Sequence, residues 1–477
     1  MSAIVSPHRV ATLLGQFDRD PAYLGLADAL ALLIGEGRIA KDVRLPSERD
    51  LALAVGVSRT TATRAYTMLR ERGYARARHG SGTYAHVPGG RARIHDRVLL
   101  PRLDRPDLID LGSAAASAPP GVAAALAAAV DDVTPYLGSH GYFPGGVPEV
   151  QRAIAGHFAA RGLPTDPDQI MVTPGALSAA AIVVHALTGP GDRILVEDPA
   201  YPNIPRALRG HGARLVPNPV DAEGWDLDAV GAAIRQAGAR LAYLVPDFQN
   251  PTGHLMPSEQ RERYAQMLAS ARTVPIVDEA AQQLLLDDDI AMPPPFAAFA
   301  PDAITLGSAS KAYWGGLRLG WIRAPKNVVD DLVTARVALD LGTPVLDQLA
   351  LARLLDEGQA VVQAQRDRLR EQRDALLDAI AEKLPQWRVR RASGGLSAWC
   401  ELPRPIASAV TAQAEQLGVV VAPGSVFAVD GRLESYVRIP WIRPPDELRD
   451  AVGRLAEAWE SASADPAPSP RGRVTVA

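Results

Sequence analysis

The 477-residue chain has a single cysteine, Cys400, so no disulfide forms within it. That scarcity of thiols fits a reducing cytoplasm, the expected location. No run of about 18 apolar residues is free of charge, so no transmembrane helix and no membrane partner are expected. The start, MSAIVSPHRVATLLGQFDRD, lacks a basic n-region and a long apolar h-region, and no signal peptide is expected. The nine histidines have no metal-ligand spacing such as HExxH, so no metal site is expected. Lysine is scarce as well. Of 50 Lys+Arg residues only Lys41, Lys311, Lys326 and Lys383 are lysine, so chemistry that needs an amine has few candidates. What remains is 47% hydrophobic and 22% charged, a soluble, core-forming composition. The length suggests roughly three structural units.

Charge is unevenly placed. Residues 1–87 carry 12 Lys+Arg against 8 Asp+Glu, while the remainder holds 38 against 46. A small basic module precedes a larger acidic body. Residues 22–34 (AYLGLADALALLI) predict an amphipathic or largely buried helix. Ser47 is placed to cap a second helix, with Asp50 as its capping-box partner, and Gly56 to end it. Ser58 is placed to cap a third, whose apolar stripe is Ala62, Ala65, Tyr66 and Leu69. Two short helices around a glycine turn form a helix-turn-helix pattern. The segment from Tyr74 through Arg76, Arg78, His79 and Gly80 to Tyr84 predicts a small hairpin, or wing. Arg59, Thr60 and Thr61 begin the third helix, where short polar residues reach base edges in a major groove. Arg49, Arg64, Arg76, Arg78 and His79 are placed for backbone or minor-groove contact. The segments LPSERDLA, VGVSRTTATRAY and ERGY…HGSGTY resemble the winged helix-turn-helix of the GntR family over about residues 22–87. The resemblance implies that Arg49, Arg59, Thr60, Thr61, His79 and Gly80 face a double-stranded DNA operator.

Residues 88–108 form a Pro-, Gly- and Arg-rich linker. From residue 109 on, short apolar runs alternate with helical stretches: QIMVTP, DRILVEDP, ARLVPNPV, RLAYLVP, TVPIVDEA and DAITLGS. Runs apolar throughout suit strands buried on both faces of an α/β sheet. Polar residues cluster at their carboxyl ends, the edge where such sheets bind ligands. Gly175-Ala176 opens a helix, a ready anion site. Tyr201, Asn250 and Asp278 follow the next strands, then Ser308, Ser310 and Lys311, with Arg318 seven residues later. A phosphate cradle, an aromatic face, an amide, a carboxylate and an amine on one edge suggest pyridoxal phosphate. Its aldehyde needs a lysine. Lys41 lies in the basic module, Lys326 begins a helix and Lys383 lies among charges, whereas Lys311 ends an apolar strand beside serines.

The segments GYFPGGVPEVQRAI, VTPGA, VEDPAYPN, QNPTG, VDEA, GSASK and LRLG resemble a fold-type I aminotransferase domain, over residues 109–461. The resemblance implies that Lys311 forms a Schiff base with the cofactor and that Asp278 pairs with the pyridine nitrogen. It implies that Asn250 bonds the phenolic oxygen and that Tyr201 stacks on the ring. Gly175, Ala176, Ser308, Ser310 and Arg318 would hold the phosphate, with Tyr142 reaching it from the neighbouring subunit. Arg438, in YVRIP, would fork onto a substrate or effector α-carboxylate. One departure stands out. Ala280 and Ala281 occupy positions where that family usually has a tyrosine, which would raise the Schiff-base pKa and slow amine exchange.

The expected fold class is therefore α/β: an N-terminal winged helix-turn-helix plus a large aminotransferase-like domain with a smaller C-terminal subdomain. Residues 356–384 read as one long solvated helix, 394–400 and 436–441 as strands, and 462–477 as a disordered tail. The arrangement resembles the MocR/GabR regulators. That resemblance implies a head-to-tail homodimer regulating transcription, with an amino acid, an amine or the cofactor itself as signal. A working transaminase with an accessory DNA-binding domain, and a purely structural dimerisation domain, remain the alternatives.

Overall fold

A computed structural model describes residues 5–15, 17–35, 39, 43–78, 82–86, 108–429 and 433–464. His79 and Gly80, the linker up to residue 107 and the chain beyond residue 464 lie outside the described residues. Among those described, no helix is long and apolar enough to cross a membrane.

The N-terminal module follows its local signals. Helix Ala22–Gly35 precedes the pair Glu48–Val55 and Arg59–Glu71. Ser47 Oγ accepts from the Asp50 amide at 3.1 Å and its hydroxyl donates to Asp50 Oδ2 at 2.7 Å. Gly56 ends that helix at φ 68°, a left-handed turn that favours glycine. Ser58 Oγ accepts from the Thr61 amide at 3.0 Å and starts the next helix. Leu30, Leu51, Ala62, Ala65, Tyr66 and Leu69 share one core. Each fully buried leucine there contributes about 1.5–3 kcal/mol. The Tyr66 hydroxyl donates to the Pro46 carbonyl at 2.8 Å and ties the two helices together. Strands Ala75–Arg78 and Gly82–Ala85 pair antiparallel as the wing.

The large domain is built on seven strands: β1 (Ile170–Thr173), β2 (Arg193–Asp198), β3 (Arg214–Pro219), β4 (Leu241–Leu244), β5 (Val274–Asp278), β6 (Ile304–Ser308) and β7 (Gly320–Arg323). Their order is β1-β7-β6-β5-β4-β2-β3. Pairings are parallel except at β7, which runs antiparallel to both β1 and β6. The sequence reading found six of these strands and missed β7, whose first residue, Gly320, is the last of the LRLG landmark. Alternate residues enter two cores. Leu195, Ala242, Leu244 and Val277 pack on one face, and Ile194, Val196, Leu241, Tyr243 and Ile276 on the other. This double burial explains strands that are apolar throughout.

A smaller antiparallel sheet follows, with Ser397–Glu401 and Tyr436–Pro440 at its centre. Two sequence readings change here. The segment 356–384 is not one helix, because Val345–Glu357 ends at Gly358 and Gln359–Lys383 begins beyond it. Side chains such as Leu369, Leu376 and Ile380 are buried in the core rather than solvated. The last helix, Pro445–Ala464, runs three residues into the stretch read as tail. Cys400 is buried, as a small apolar side chain would be.

Candidate functional site

Six parallel strands bring their carboxyl ends to one edge, and antiparallel β7 begins there, with Gly320 opposite both Thr173 and Ser308. At this edge lies a cavity of about 380 Å³. Gly175, Ala176, Tyr201, Asn250, Asp278, Ser308, Ser310, Lys311 and Arg318 all line it. These side chains come from segments far apart in sequence, and the parallel sheet is what gathers them.

At one end is a cradle suited to an anion. Helix Ala176–Leu187 begins after Gly175, which holds φ 103°. Its first amides have no partner within the helix and carry the positive end of the helix dipole. Arg318 sits at φ 51° and donates through Nη2 to the Pro174 carbonyl at 3.1 Å. A Cβ on Gly175 would come within 3.4 Å of that guanidinium. Ser308 Oγ accepts from the Ser310 amide at 3.2 Å. Free amides, a guanidinium and two hydroxyls fit a phosphate.

In the middle are the amine and the carboxylate. Lys311 Nζ donates to the Ala114 carbonyl at 2.9 Å. Burial, with Arg438 and Arg318 nearby, pushes its pKa down to about 8, and Asp278 opposes the shift. The shift favours the neutral amine that attack on a carbonyl requires. Asp278 ends β5, and burial pushes its carboxyl up. The Tyr243 hydroxyl at 2.5 Å and the Ala280 amide at 2.9 Å oppose that shift by donating to its two oxygens.

Arg438 stands behind Asn250 and is fully buried. Its Nη1 donates to Asn250 Oδ1 at 3.4 Å and its Nη2 to the Gly112 carbonyl at 2.6 Å. Its Nε has no partner among the described residues. Burial pushes its pKa down to about 9. Asn250 lines the cavity, and its amide nitrogen is the donor of that side chain. Tyr142 lies apart from this chain's cavity. It is 58% exposed and stacks on His140. Ala280 and Ala281 both line the cavity.

Sequence reasoning missed Tyr243, the Ala114 carbonyl, Gly320 and Phe248. Tyr243 was detectable as the one hydroxyl in the apolar run LAYL; the others needed the fold. Beneath the site, Gln249 accepts from Thr252 N at 3.0 Å and from its Oγ1 at 2.8 Å, and donates to the Pro199 carbonyl. That bracing fixes the Asn250 turn.

On the helix-turn-helix, Arg49, Arg59, Thr60 and Arg64 are exposed and Thr61 is half-buried. The Arg64 guanidinium lies 3.8 Å over the Tyr23 ring. Thr61 Oγ1 is 2.8 Å from Ser58 Oγ and so belongs partly to the cap.

Residues 107–455 match the family "Aminotransferase class I and II", and residues 22–85 match "Bacterial regulatory proteins, gntR family". The chain is 32% identical over 309 residues to a 2-aminoadipate transaminase of Thermus thermophilus, covering 63% of this chain and 78% of that protein. It is 28% identical over 434 residues to the Bacillus subtilis protein YisV, an uncharacterized HTH-type transcriptional regulator. That match covers 85% of this chain and 89% of the relative, so both parts are shared in the same order. Among solved structures, LysN, an alpha-aminoadipate aminotransferase of Thermus thermophilus complexed with N-(5'-phosphopyridoxyl)-L-leucine, superposes with a TM-score of 0.69. It is 28% identical, and the match covers 77% of this chain and 96% of LysN.

Proposed function

The chain belongs to the class I and II aminotransferase family, and on that premise we propose that it is a DNA-binding transcriptional regulator whose aminotransferase-like domain uses pyridoxal phosphate to sense an amino acid or amine. When bound, pyridoxal phosphate supplies an aldehyde that an amine captures and a ring that withdraws electrons when protonated. Lys311 is the amine that holds it. Asp278 keeps the ring nitrogen protonated, Asn250 donates to the phenolic oxygen, and Tyr201 covers the ring. Gly175, Ala176, Ser308, Ser310 and Arg318 hold the phosphate. Arg438 receives the α-carboxylate of the incoming amino acid. Arg49, Arg59, Thr60, Thr61, Arg64, His79 and Gly80 meet DNA.

One observation carries this reading: a complete amine, carboxylate and anion cradle in one cavity, in a chain that also folds a capped helix-turn-helix. The unit bounds are 1–87, 88–108 and 109–461, the last extended by the final helix to 464. The protein acts in the cytoplasm as a head-to-tail homodimer, and Tyr142 serves the partner's site. Its exposure on this chain fits that role. Ligand capture that favours one arrangement of the dimer changes DNA affinity, and DNA changes ligand affinity by the same factor.

A second reading, transaminase activity beside regulation, is favoured by Lys311, Asp278, Asn250 and Arg438 standing together. Lys311→Ala separates the readings. A sensor keeps DNA binding and loses its response to the ligand. An enzyme loses turnover. A protein whose large domain is only a scaffold loses neither, and that result would overturn the proposal.

A further inference from the structure

The cavity continues beyond the residues assigned to the cofactor. Its lining also includes Ala114, Ala115, Phe248, Ala281, Gly395 and Leu396, with Gln249 and Ser397 as uncharged polar neighbours. Among the described residues lining the cavity, the charged ones are Asp278, Lys311 and Arg318, all at the cofactor end. Arg390 is absent from the lining and donates through Nη2 to the Thr252 carbonyl at 3.1 Å.

This wall is built rather than left over. Phe248 sits at φ 53°, a left-handed conformation that a residue with a side chain adopts only when its surroundings hold it there. Phe248 is 3% exposed. Gly394 and Gly395 leave the space it fills. A Cβ on Gly394 would lie 2.4 Å from two ring carbons, and one on Gly395 would lie 3.0 Å from the Phe248 Cβ. A residue held in the left-handed region and two adjacent glycines thus fix Phe248 in the lining of the cavity.

We propose that the amino compound taken by this site is an α-amino acid with an uncharged, apolar side chain, aliphatic or aromatic, received by the Phe248–Leu396 wall while Arg438 takes its carboxylate. The inference rests on the cofactor reading above. An apolar side chain gains from leaving water against this wall. A carboxylate or ammonium there loses hydration and meets no charged partner beyond the cofactor residues among the described residues lining the cavity. The mismatch is larger than that of a missing methylene, so discrimination of at least about tenfold is expected.

The test uses the full-length protein loaded with pyridoxal phosphate. The visible band of the lysine-bound cofactor is titrated with L-leucine, L-methionine and L-phenylalanine, and with L-glutamate, L-aspartate, L-2-aminoadipate and L-lysine. Half-saturation for the apolar set at concentrations at least about tenfold lower is the expected result. A charged amino acid acting at an equal or lower concentration overturns the inference. So does a band that none of the panel shifts, and in both cases the cofactor reading still stands. No band at all is a different failure, that of the cofactor reading itself. Ala115→Arg, on the exposed side of the wall, provides a second measurement. It is expected to shift preference toward L-glutamate and L-2-aminoadipate by about tenfold with the band retained. An unchanged preference in the loaded variant counts against the wall as the side-chain subsite.

Discussion

The Tyr243 hydroxyl donates to Asp278 Oδ2 at 2.5 Å, from one strand to the next. Tyr243 pairs with Ile276 in the register of β4 and β5, and Asp278 is the next residue on the same face. The contact is therefore the diagonal one that a long aromatic side chain makes across neighbouring strands.

Tyr243→Phe keeps the ring and removes the donor. Asp278, already pushed up by burial, loses a group that favours its ionised form. Cofactor affinity is expected to fall roughly tenfold or more, as for loss of a hydrogen bond to a charged group. Affinity should also fail at a higher pH than in the parent, because the carboxyl protonates sooner. Absorbance titrations across pH measure both. An unchanged affinity with an unchanged pH midpoint would show that Tyr243 only fills space.

Glu197 lies under the same turn, wholly buried, and accepts from Trp225 Nε1 at 2.8 Å, Gln249 Nε2 at 3.2 Å and the Val245 amide at 3.2 Å. Burial outweighs these donors and pushes its pKa from 4.5 up to about 7. Between those values the folded chain binds the extra proton, so this group's contribution is full below pH 4.5 and lost as pH rises through about 7. The size is on the order of 1–3 kcal/mol. Urea unfolding at pH 5 and pH 7.5 reads it. Glu197→Gln should flatten that part of the difference, and an equal pH difference in parent and variant would rule Glu197 out as its source.

Gly320 opens β7 against the anion cradle. A Cβ there would lie 2.7 Å from the Gly175 carbonyl carbon and the Gly307 oxygen, and 2.8 Å from the Ala176 nitrogen. All three are backbone atoms, so the cradle must move. Gly320→Ala is expected to weaken cofactor binding and to cost about 1–3 kcal/mol. Gly156, exposed in helix Pro148–Ala160 with nothing near its missing Cβ, is the control. Gly156→Ala should be neutral or stabilising by up to about 1 kcal/mol. Calorimetry and cofactor titration compare the two, and equal behaviour would remove the clash argument.

On DNA, Arg59→Ala should cost about 1–3 kcal/mol on the specific site and less on random duplex. Arg76→Ala, in the wing, should weaken both and reduce the salt slope by about one. Gel-shift or anisotropy titrations at several salt concentrations check this. Equal losses at Arg59 on both duplexes would remove base readout from that residue.

Much of this was legible because the signals are local. Ser47, Gly56 and Ser58 announce helix ends through bonds to residues within four positions. Apolar strands ending in polar residues announce a ligand edge, since buried parallel strands expose function only at their ends. With four lysines, Lys311 was singled out by its place at a strand end. The alanines at 280 and 281 were readable too, as a departure.

What the sequence by itself determined, then, was the identity and order of the parts: a capped helix-turn-helix, a set of buried strands and the side chains at their ends. The tertiary structure alone decided which of those side chains meet. Strand β7 is antiparallel, so Gly320 abuts Gly175. Register pairs Tyr243 with Ile276, which brings the Tyr243 hydroxyl to Asp278, two residues on along the same face. The Ala114 carbonyl reaches Lys311 across 197 positions. Gly394 and Gly395 are ordinary turn residues until Phe248 packs against them. Each of these depends on pairing between distant segments, and local pattern carries no information about which strand will lie beside which.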